Sequence, residues 1–388
     1  MRIGRPEILQ LDQHVTYKTV VELDGRIADL WYSVDKEFGG LVSDAADAAL
    51  IALLIPAMRL GEDIEVAGTV SERLLYTLSR PYQAILRHMN PSLKNIRIHA
   101  QDISRAPARA SGVATGFSGG IDSYCLLADH YQADAPSGFR ITHLLYNNVG
   151  SHGKGGANLF QKRYERLRAS ADRIGLPFIK VDSNLNEFYT EGDFQATHTP
   201  RNTSVSHLLG KGIGRFMYAS AYRYTDVFVG PTDSMGYTDT LTLPLLSSEQ
   251  VDVISTGSEY SRVEKTLRTV DVPESYETLD VCVTTTHTAP PTNCSRCWKC
   301  LRTLLTLDIA GKLDHYSACF DLNIYRNRRN NFMAEILISK NPLSREIVEY
   351  AREQHYAFPD DARLYATLER YHLLGGIQAM KKLMRRLN

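Results

Sequence analysis

Nothing in the composition of this chain gives it a field of one sign. Lys plus Arg is 44 and Asp plus Glu is 44 over 388 residues, so no global positive potential gathers nucleic acid or an anionic membrane surface. Long apolar runs are missing too: the longest, Ala48–Met58, is far short of the roughly 20 residues that span a bilayer. The opening stretch MRIGRPEILQ lacks the basic-then-apolar layout of a secretory signal, which predicts a cytoplasmic protein. Cysteine is scarce, six in all, yet three fall within seven positions; in a reducing compartment that spacing predicts a metal rather than disulfides. There is no internal repeat and no low-complexity tract. What is present is 43% hydrophobic and 23% charged residues, the mix of a globular protein, in a chain long enough for more than one domain.

Residues 16–23 and 27–33 are rich in β-formers and flank Asp24-Gly25, which predicts a tight hairpin. Helical spacing runs from Ser43 to about Leu60, a short strand is expected over Asp63–Ala67, and a second helix from near Ser71 to about His88 is kinked or broken at Pro81. Asn95–His99 alternates like a strand. These pieces predict a small α+β domain over 1–108. From 109 to 275 the style changes: short apolar strands at Val113–Phe117, Ile141–Tyr146, Phe178–Val181 and Val227–Val229 alternate with longer helical stretches, including Ser206–Ala221. That alternation predicts an α/β fold, a parallel sheet with helices on both faces. Residues 276–388 read as a cysteine-bearing loop followed by a helical C-terminal region.

The most informative string is Ser118-Gly119-Gly120-Ile121-Asp122-Ser123, placed where an apolar strand ends and a helix begins at once. A helix start offers unpaired N–H groups and the positive end of the dipole, which suits a phosphate. Ser118 and Ser123 add hydroxyls, and Asp122 can hold Mg²⁺ against a polyphosphate. No Lys stands in the turn, which excludes the GxxxxGK[ST] type of phosphate loop.

This SGGxDS turn resembles the signature of the PP-loop, or N-type, ATP pyrophosphatases. The resemblance implies an adenine nucleotide α-hydrolase-like sheet, an ATP split between its α and β phosphates, and an adenylated acceptor. It also implies adenine contacts at the end of the next strand, at Tyr146 and Asn147. The Gly-rich run from Gly150 to Gly156 suggests either a flexible loop or a lid in which His152 and Lys154 stabilise charge.

Cys294, Cys297 and Cys300 form CxxCxxC, with Cys282 twelve positions upstream. Four thiolates make a closed tetrahedral zinc site, structural rather than catalytic; an Fe–S cluster could use the same set. Cys125 and Cys319 sit among apolar residues and are expected to pack as small hydrophobes. Together the SGGxDS turn and the late cysteines resemble the 7-cyano-7-deazaguanine synthase branch, whose late cysteines hold structural zinc, over roughly residues 110–310. Pro200-Arg201-Asn202-Thr203 resembles that branch's ARNT-like element, which implies nucleotide or substrate contacts for Arg201 and Asn202. The N-terminal 108 residues, Tyr146-Asn-Asn-Val-Gly and the cysteine spacing depart from it, which leaves the deazaguanine substrate open.

The polar segments Pro231–Asp239 and Ser258–Lys265 follow the strand at Val227, where ligands of open parallel sheets sit. Arg262 and Lys265 are the candidates to hold a carboxylate or stabilise an adenylate, with Arg268 behind them; Asp233 could bind a second Mg²⁺ or an amine; a solvated loop and a charged helix face are the alternative. The basic runs Arg326–Arg329 and Lys381–Arg386 carry no interleaved aromatics and read as solvated helix ends. The resulting expectation is a ligase or amidotransferase-like enzyme that uses ATP, Mg²⁺ and structural Zn²⁺ on a small-molecule substrate, with no membrane or nucleic-acid partner; a homodimer is compatible. The alternatives are a tRNA-modifying enzyme of thiolase or lysidine type, a carboxylate-activating epimerase like the one acting on a muropeptide's terminal glutamate, and a nucleotide sensor without turnover.

Overall fold

A computed structural model describes residues 1–105, 109–152, 156–190, 193–282 and 291–370. These fall into two compact units, one of Met1–Ser118 with Leu126–Glu259 and one of Gly119–Cys125 with the chain from Tyr260 onward. No helix among the described residues is long and apolar enough to cross a membrane.

The first unit is α/β, built on an 11-stranded sheet. Its strands are β1 (Arg2–Ile3), β2 (Glu7–Gln10), β3 (His14–Leu23), β4 (Arg26–Asp35), β5 (Ile64–Ser71), β6 (Ile98–Ser104), β7 (Gly112–Gly116), β8 (His143–Asn147), β9 (Phe178–Ser183), β10 (Ile213–Ala219) and β11 (Asp252–Thr256). They lie in the order β11-β10-β7-β8-β9-β4-β3-β1-β5-β6, with β2 paired on β3. From β11 to β9 every pairing is parallel. The hairpin expected at Asp24-Gly25 is present, both residues at positive φ (52° and 69°) as a two-residue primed turn demands.

The segment expected to stand apart as an N-terminal domain instead joins this sheet: Tyr32, Ser33 and Val34 of β4 pair antiparallel with Ser183, Asp182 and Val181 of β9. β3 pairs one edge of β4, and β9 covers these three residues of the other. The apolar run predicted as a helix forms Asp47–Leu60, capped by Gly61 at φ 76°, and is buried at every position from Asp47 to Met58. A helix apolar on all sides belongs inside a core. Pro81 leaves the second helix broken into Glu72–Thr77 and Gln83–Met89 around a widened turn, Leu78–Tyr82.

One strand expectation and one helix expectation are corrected. Val227–Val229 is not a strand; Phe228 and Val229 are exposed there. The fourth parallel strand lies earlier, at β10, inside the stretch read as the helix Ser206–Ala221. That helix is Phe194–Leu208 instead. Gly210 and Gly212 follow its end, and the β-rich Ile213–Tyr218 comes next. Gly214 sits where β10 shifts register on β7, and a Cβ there would stand 1.9 Å from the Ala110 carbonyl oxygen. Gly214→Ala should therefore cost about 1–3 kcal/mol, read as a lower denaturant midpoint at unchanged slope.

The second unit is helical. Arg262–Arg268, Trp298–Ile309, Leu322–Ile338, Pro342–Glu353 and Asp360–Arg370 are its main helices, gathered around buried Leu304, Leu305, Tyr316, Phe320, Tyr325 and Ile347.

Candidate functional site

The four cysteines converge. The Sγ atoms of Cys282, Cys294, Cys297 and Cys300 all lie within 4.8 Å of one another, with Cys294–Cys300 at 3.9 Å and Cys297–Cys300 at 3.4 Å. Zn–S bonds of about 2.3 Å arranged tetrahedrally require S···S separations of about 3.8 Å, so the donor set fits one metal ion. Local chemistry builds it. Asn293 accepts from Val281 N at 2.9 Å and donates to Leu279 O (2.7 Å) and Cys319 O (3.2 Å), tying the two arms of the loop together. Ser295 takes positive φ (56°), and Cys297 N donates to Cys294 Sγ at 3.3 Å. Cys297 then caps the helix Trp298–Ile309, which carries Cys300 in its first turn. Burial raises the Cys294 thiol, but backbone N–H donors from Arg296 and Cys297 and the thiols of Cys282 and Cys297 outweigh it and bring it down to about 6, the thiolate form a metal needs. Cys125 and Cys319 are buried and stand outside the cluster.

The second constellation of this unit centres on Asp122, at the start of the helix Ile121–Leu127. Gly119 takes φ 71°, a left-handed turn that only glycine adopts freely, and its carbonyl accepts from Asp280 N at 2.8 Å. Asp122 Oδ1 accepts from Arg262 Nη1 at 2.8 Å and Lys265 Nζ at 3.3 Å. A capping box starts the helix that bears both cations: Ser261 Oγ accepts from Glu264 N, and the Glu264 carboxylate accepts from Ser261 N. Three residues apart, Arg262 and Lys265 share one helix face. Lys265 retains only 2% of its side-chain exposure, Arg262 15% and Asp122 34%. Burial alone would raise the Asp122 carboxyl; the charges and hydrogen bonds of Arg262 and Lys265 outweigh it and hold it below the ordinary range. Two further cations lie within electrostatic reach. Lys299 is shifted down by burial and by Arg302 and Arg262; Arg302 falls to about 10, by burial first and Arg262 next. Glu346 accepts from Arg262 N at 2.9 Å. Arg262 and Lys265 thus bond Asp122 directly, and Lys299 and Arg302 act on the same region electrostatically, an excess of positive charge suited to an anion.

No family model, curated protein or solved structure matches the chain. The chemistry is therefore read from the residues themselves.

Of the other expected residues, Gly120 and Ile121 lead into the Asp122 helix, where Tyr124 N donates to Gly120 O at 3.1 Å, and Ser123 is buried one residue on. Ser118 ends its segment of the first unit. Arg268 turns to Asp271, and Asp233 lies exposed. Lys154 lies outside the described residues. In the first unit, Tyr146 packs its ring against Phe160 at 5.2 Å and bonds His152 through its hydroxyl at 3.0 Å. Burial, with Arg163 behind it, pushes the His152 imidazole down to about 4, so it is neutral near pH 7 and could act there only as a neutral hydrogen-bond donor. Asn147 Nδ2 donates to Asn202 Oδ1 at 3.3 Å, and Asn202 Nδ2 to His198 O at 2.9 Å. Arg201 is 1% exposed; Nη1 donates to Val149 O (3.1 Å) and Asn186 Oδ1 (2.9 Å), and its guanidinium lies 3.5 Å from the Tyr189 ring centre. Nη1 thus holds the loop after β8, while Nε and Nη2 have no hydrogen-bond partner among the described residues.

Sequence reasoning gave no site role to Lys299, Arg302 or Asp239, although Arg302 stands in the basic stretch after the last cysteine. The first two flank the last cysteine, where metal spacing drew the reading; the third needed its neighbours. Asp239 is buried, accepts from Thr199 Oγ1 at 2.6 Å and has no partner for Oδ2 among the described residues. Burial raises its carboxyl to about 7 against the weaker pull of Thr199. The folded value exceeds the unfolded one, so the folded protein holds this proton more tightly, and its stability falls as pH rises from the ordinary carboxylate range through about 7. Asp239→Asn removes that loss. In urea unfolding at pH 5 and pH 8 it should gain on the parent with rising pH, by on the order of 2–4 kcal/mol at full ionisation.

Proposed function

We propose that the chain is an ATP-dependent enzyme that forms AMP and pyrophosphate by adenylating a carboxylate or amide oxygen of a small-molecule acceptor, as a ligase forming a C–N bond. The observation that carries this reading is the Asp122 cluster: a Gly-Gly turn running straight into a helix whose second residue is held by the buried Lys265 and the partly buried Arg262. The parallel half of the sheet supports it. Its order β11-β10-β7-β8-β9 reverses direction at β7, the kind of reversal at which open α/β sheets bind ligands. We read the sheet as adenine nucleotide α-hydrolase-like on that order.

In the reaction, the acceptor oxygen attacks the α phosphorus, the bond from that phosphorus to the bridging oxygen breaks, and its electron pair leaves with pyrophosphate. Arg262 and Lys265 hold the β and γ phosphates and meet the charge that develops on the leaving group. With phosphate oxygens on these two cations, the Asp122 carboxylate would be free to hold a Mg²⁺, which would neutralise charge on the polyphosphate. A nucleophile such as ammonia then displaces AMP from the adenylate. The cysteine cluster holds zinc in a structural role, with four thiolates and no open position.

The test is pyrophosphate release from ATP over a panel of carboxylates, with and without ammonia, and with tRNA as a separate acceptor. Release that depends on a small carboxylate supports the reading. Release that requires tRNA, with retention falling steeply with salt, replaces it by the nucleic-acid reading. Nucleotide binding without any release leaves only a sensor.

A further inference from the structure

The second unit holds a cavity that the nucleotide reading does not use. It measures about 230 Å³ and is lined by Trp298, Arg302, Phe332, Ile336, Ser344 and Ile347 among others. That is several times the roughly 30 Å³ share of one water in the liquid, room for an organic acid of about the size of phenylpropionate. Phe332, Ile336 and Ile347 are buried and form its apolar wall.

One wall is charged and incomplete. Arg302 has two buried nitrogens, Nε and Nη1, with no hydrogen-bond partner among the described residues, and its guanidinium lies 4.8 Å from the centre of the Trp298 ring. A guanidinium stays charged near neutral pH, and burying its donors unpaired is costly; stacking on the indole offsets only part of that cost. The twelve-residue helix Pro342–Glu353 begins at the same cavity, with Leu343 and Ser344 of its first turn in the lining. Its positive dipole end adds to the preference for an anion. Glu335 opposes it, but stands exposed at the rim, where solvent screens it.

We propose that this cavity binds a small amphipathic carboxylate, whose acid group pairs with the Arg302 guanidinium and whose apolar body lies against Phe332, Ile336 and Ile347. A bare phosphate would leave the apolar wall wet, and a neutral hydrophobe would leave Arg302 unpaired. The acid with an apolar body satisfies both. Arg302 lies within electrostatic reach of Asp122 and Glu346, but the cavity's lining includes none of Asp122, Arg262 and Lys265, and the site needs no nucleotide.

Trp298 supplies the readout, since the chain has two tryptophans and Trp31→Phe leaves Trp298 as the sole emitter. Titrating this full-length variant, free of nucleotide, with 3-phenylpropionate should shift the Trp298 emission to saturation at sub-millimolar to millimolar acid. The neutral 3-phenylpropionamide should bind at least about tenfold more weakly, the effect of one hydrogen-bonded charge. That comparison requires no further mutation. Arg302→Gln should erase the preference for the acid, and Ile336→Phe, which fills the cavity, should abolish binding of both probes. Equal binding of acid and amide overturns the proposal. So does an acid preference that survives Arg302→Gln, or saturation unchanged in a folded Ile336→Phe protein, or no response to the acid at millimolar concentration. Because ATP is absent throughout, none of these outcomes bears on the adenylation reading.

Discussion

Cys297→Ser should strip the metal from the chain and lower its thermal unfolding midpoint by about 10 °C or more. The parent is expected to carry about one zinc, since the four sulfurs sit at separations that suit a single tetrahedral ion. Zinc bound to four thiolates contributes on the order of 10–16 kcal/mol in isolated metal-binding peptides; a loss of even a quarter of that, in a unit of this size, shifts the midpoint by roughly 2–4 °C per kcal/mol. Cys297 is the position to change because it is only half-buried, so replacing sulfur by oxygen there removes a ligand and little packing. Cys300 is fully buried, and its loss would mix the two effects. Cys319→Ser is the control: equally buried, but outside the cluster, it should keep the metal and lose only packing. A chelator should reproduce the Cys297→Ser midpoint on the parent, and added zinc should reverse it. Unchanged metal content by elemental analysis in Cys297→Ser would refute a four-thiolate site. Iron with inorganic sulfide in place of zinc would keep the site and change its occupant.

What was legible in the sequence was local. Asp24-Gly25 specifies its hairpin because two residues with positive φ are the whole requirement. The cysteines announce their cluster because CxxCxxC at a helix start brings sulfurs together through backbone geometry alone. The strand before Ser118 and the helix after Gly120 are where the Gly pair puts them. Pairings between distant segments were not legible. Nothing within residues 26–35 states that their partner is Phe178–Ser183, because an amphipathic strand fits many edges. β10 was hidden for another reason: its neighbours are apolar enough to read as helix, and only the glycines at 210, 212 and 214 argue otherwise. Arg201 was expected to touch nucleotide from its motif, while its burial against Tyr189 depends on residues a dozen positions away. Among the site residues, Arg262 and Lys265 were readable as a pair through their spacing; that Asp122 is their partner, 140 positions upstream, was not.

Asp122→Asn should lower pyrophosphate release by about 10²–10³-fold, the usual effect of removing one preorganised charged group from a transferring phosphoryl site. A loss of activity alone is ambiguous, because the same carboxylate neutralises two buried cations in the nucleotide-free protein. Its removal should therefore also destabilise the resting protein, by about 1–3 kcal/mol: less than the 3–5 kcal/mol of a fully buried pair, since Asp122 keeps 34% of its exposure and solvent screens the remainder. The parent's share of that stability is present above the ordinary carboxylate value of 3.8 and is lost as pH falls through the depressed folded value. The two roles separate when pyrophosphate is added. If Arg262 and Lys265 are the phosphate ligands, pyrophosphate supplies the negative charge that the variant lacks, and it should raise the unfolding midpoint of Asp122→Asn more than that of the parent, where it must first displace a carboxylate. Lys265→Met should show the opposite pattern, with weaker stabilisation by pyrophosphate and slower release together. If pyrophosphate shifts the parent, Asp122→Asn and Lys265→Met by the same amount, the anion binds elsewhere. The cluster is then an ion pair that fastens the helix Arg262–Arg268 to the turn after Gly119, and the adenylation reading loses the observation on which it rests.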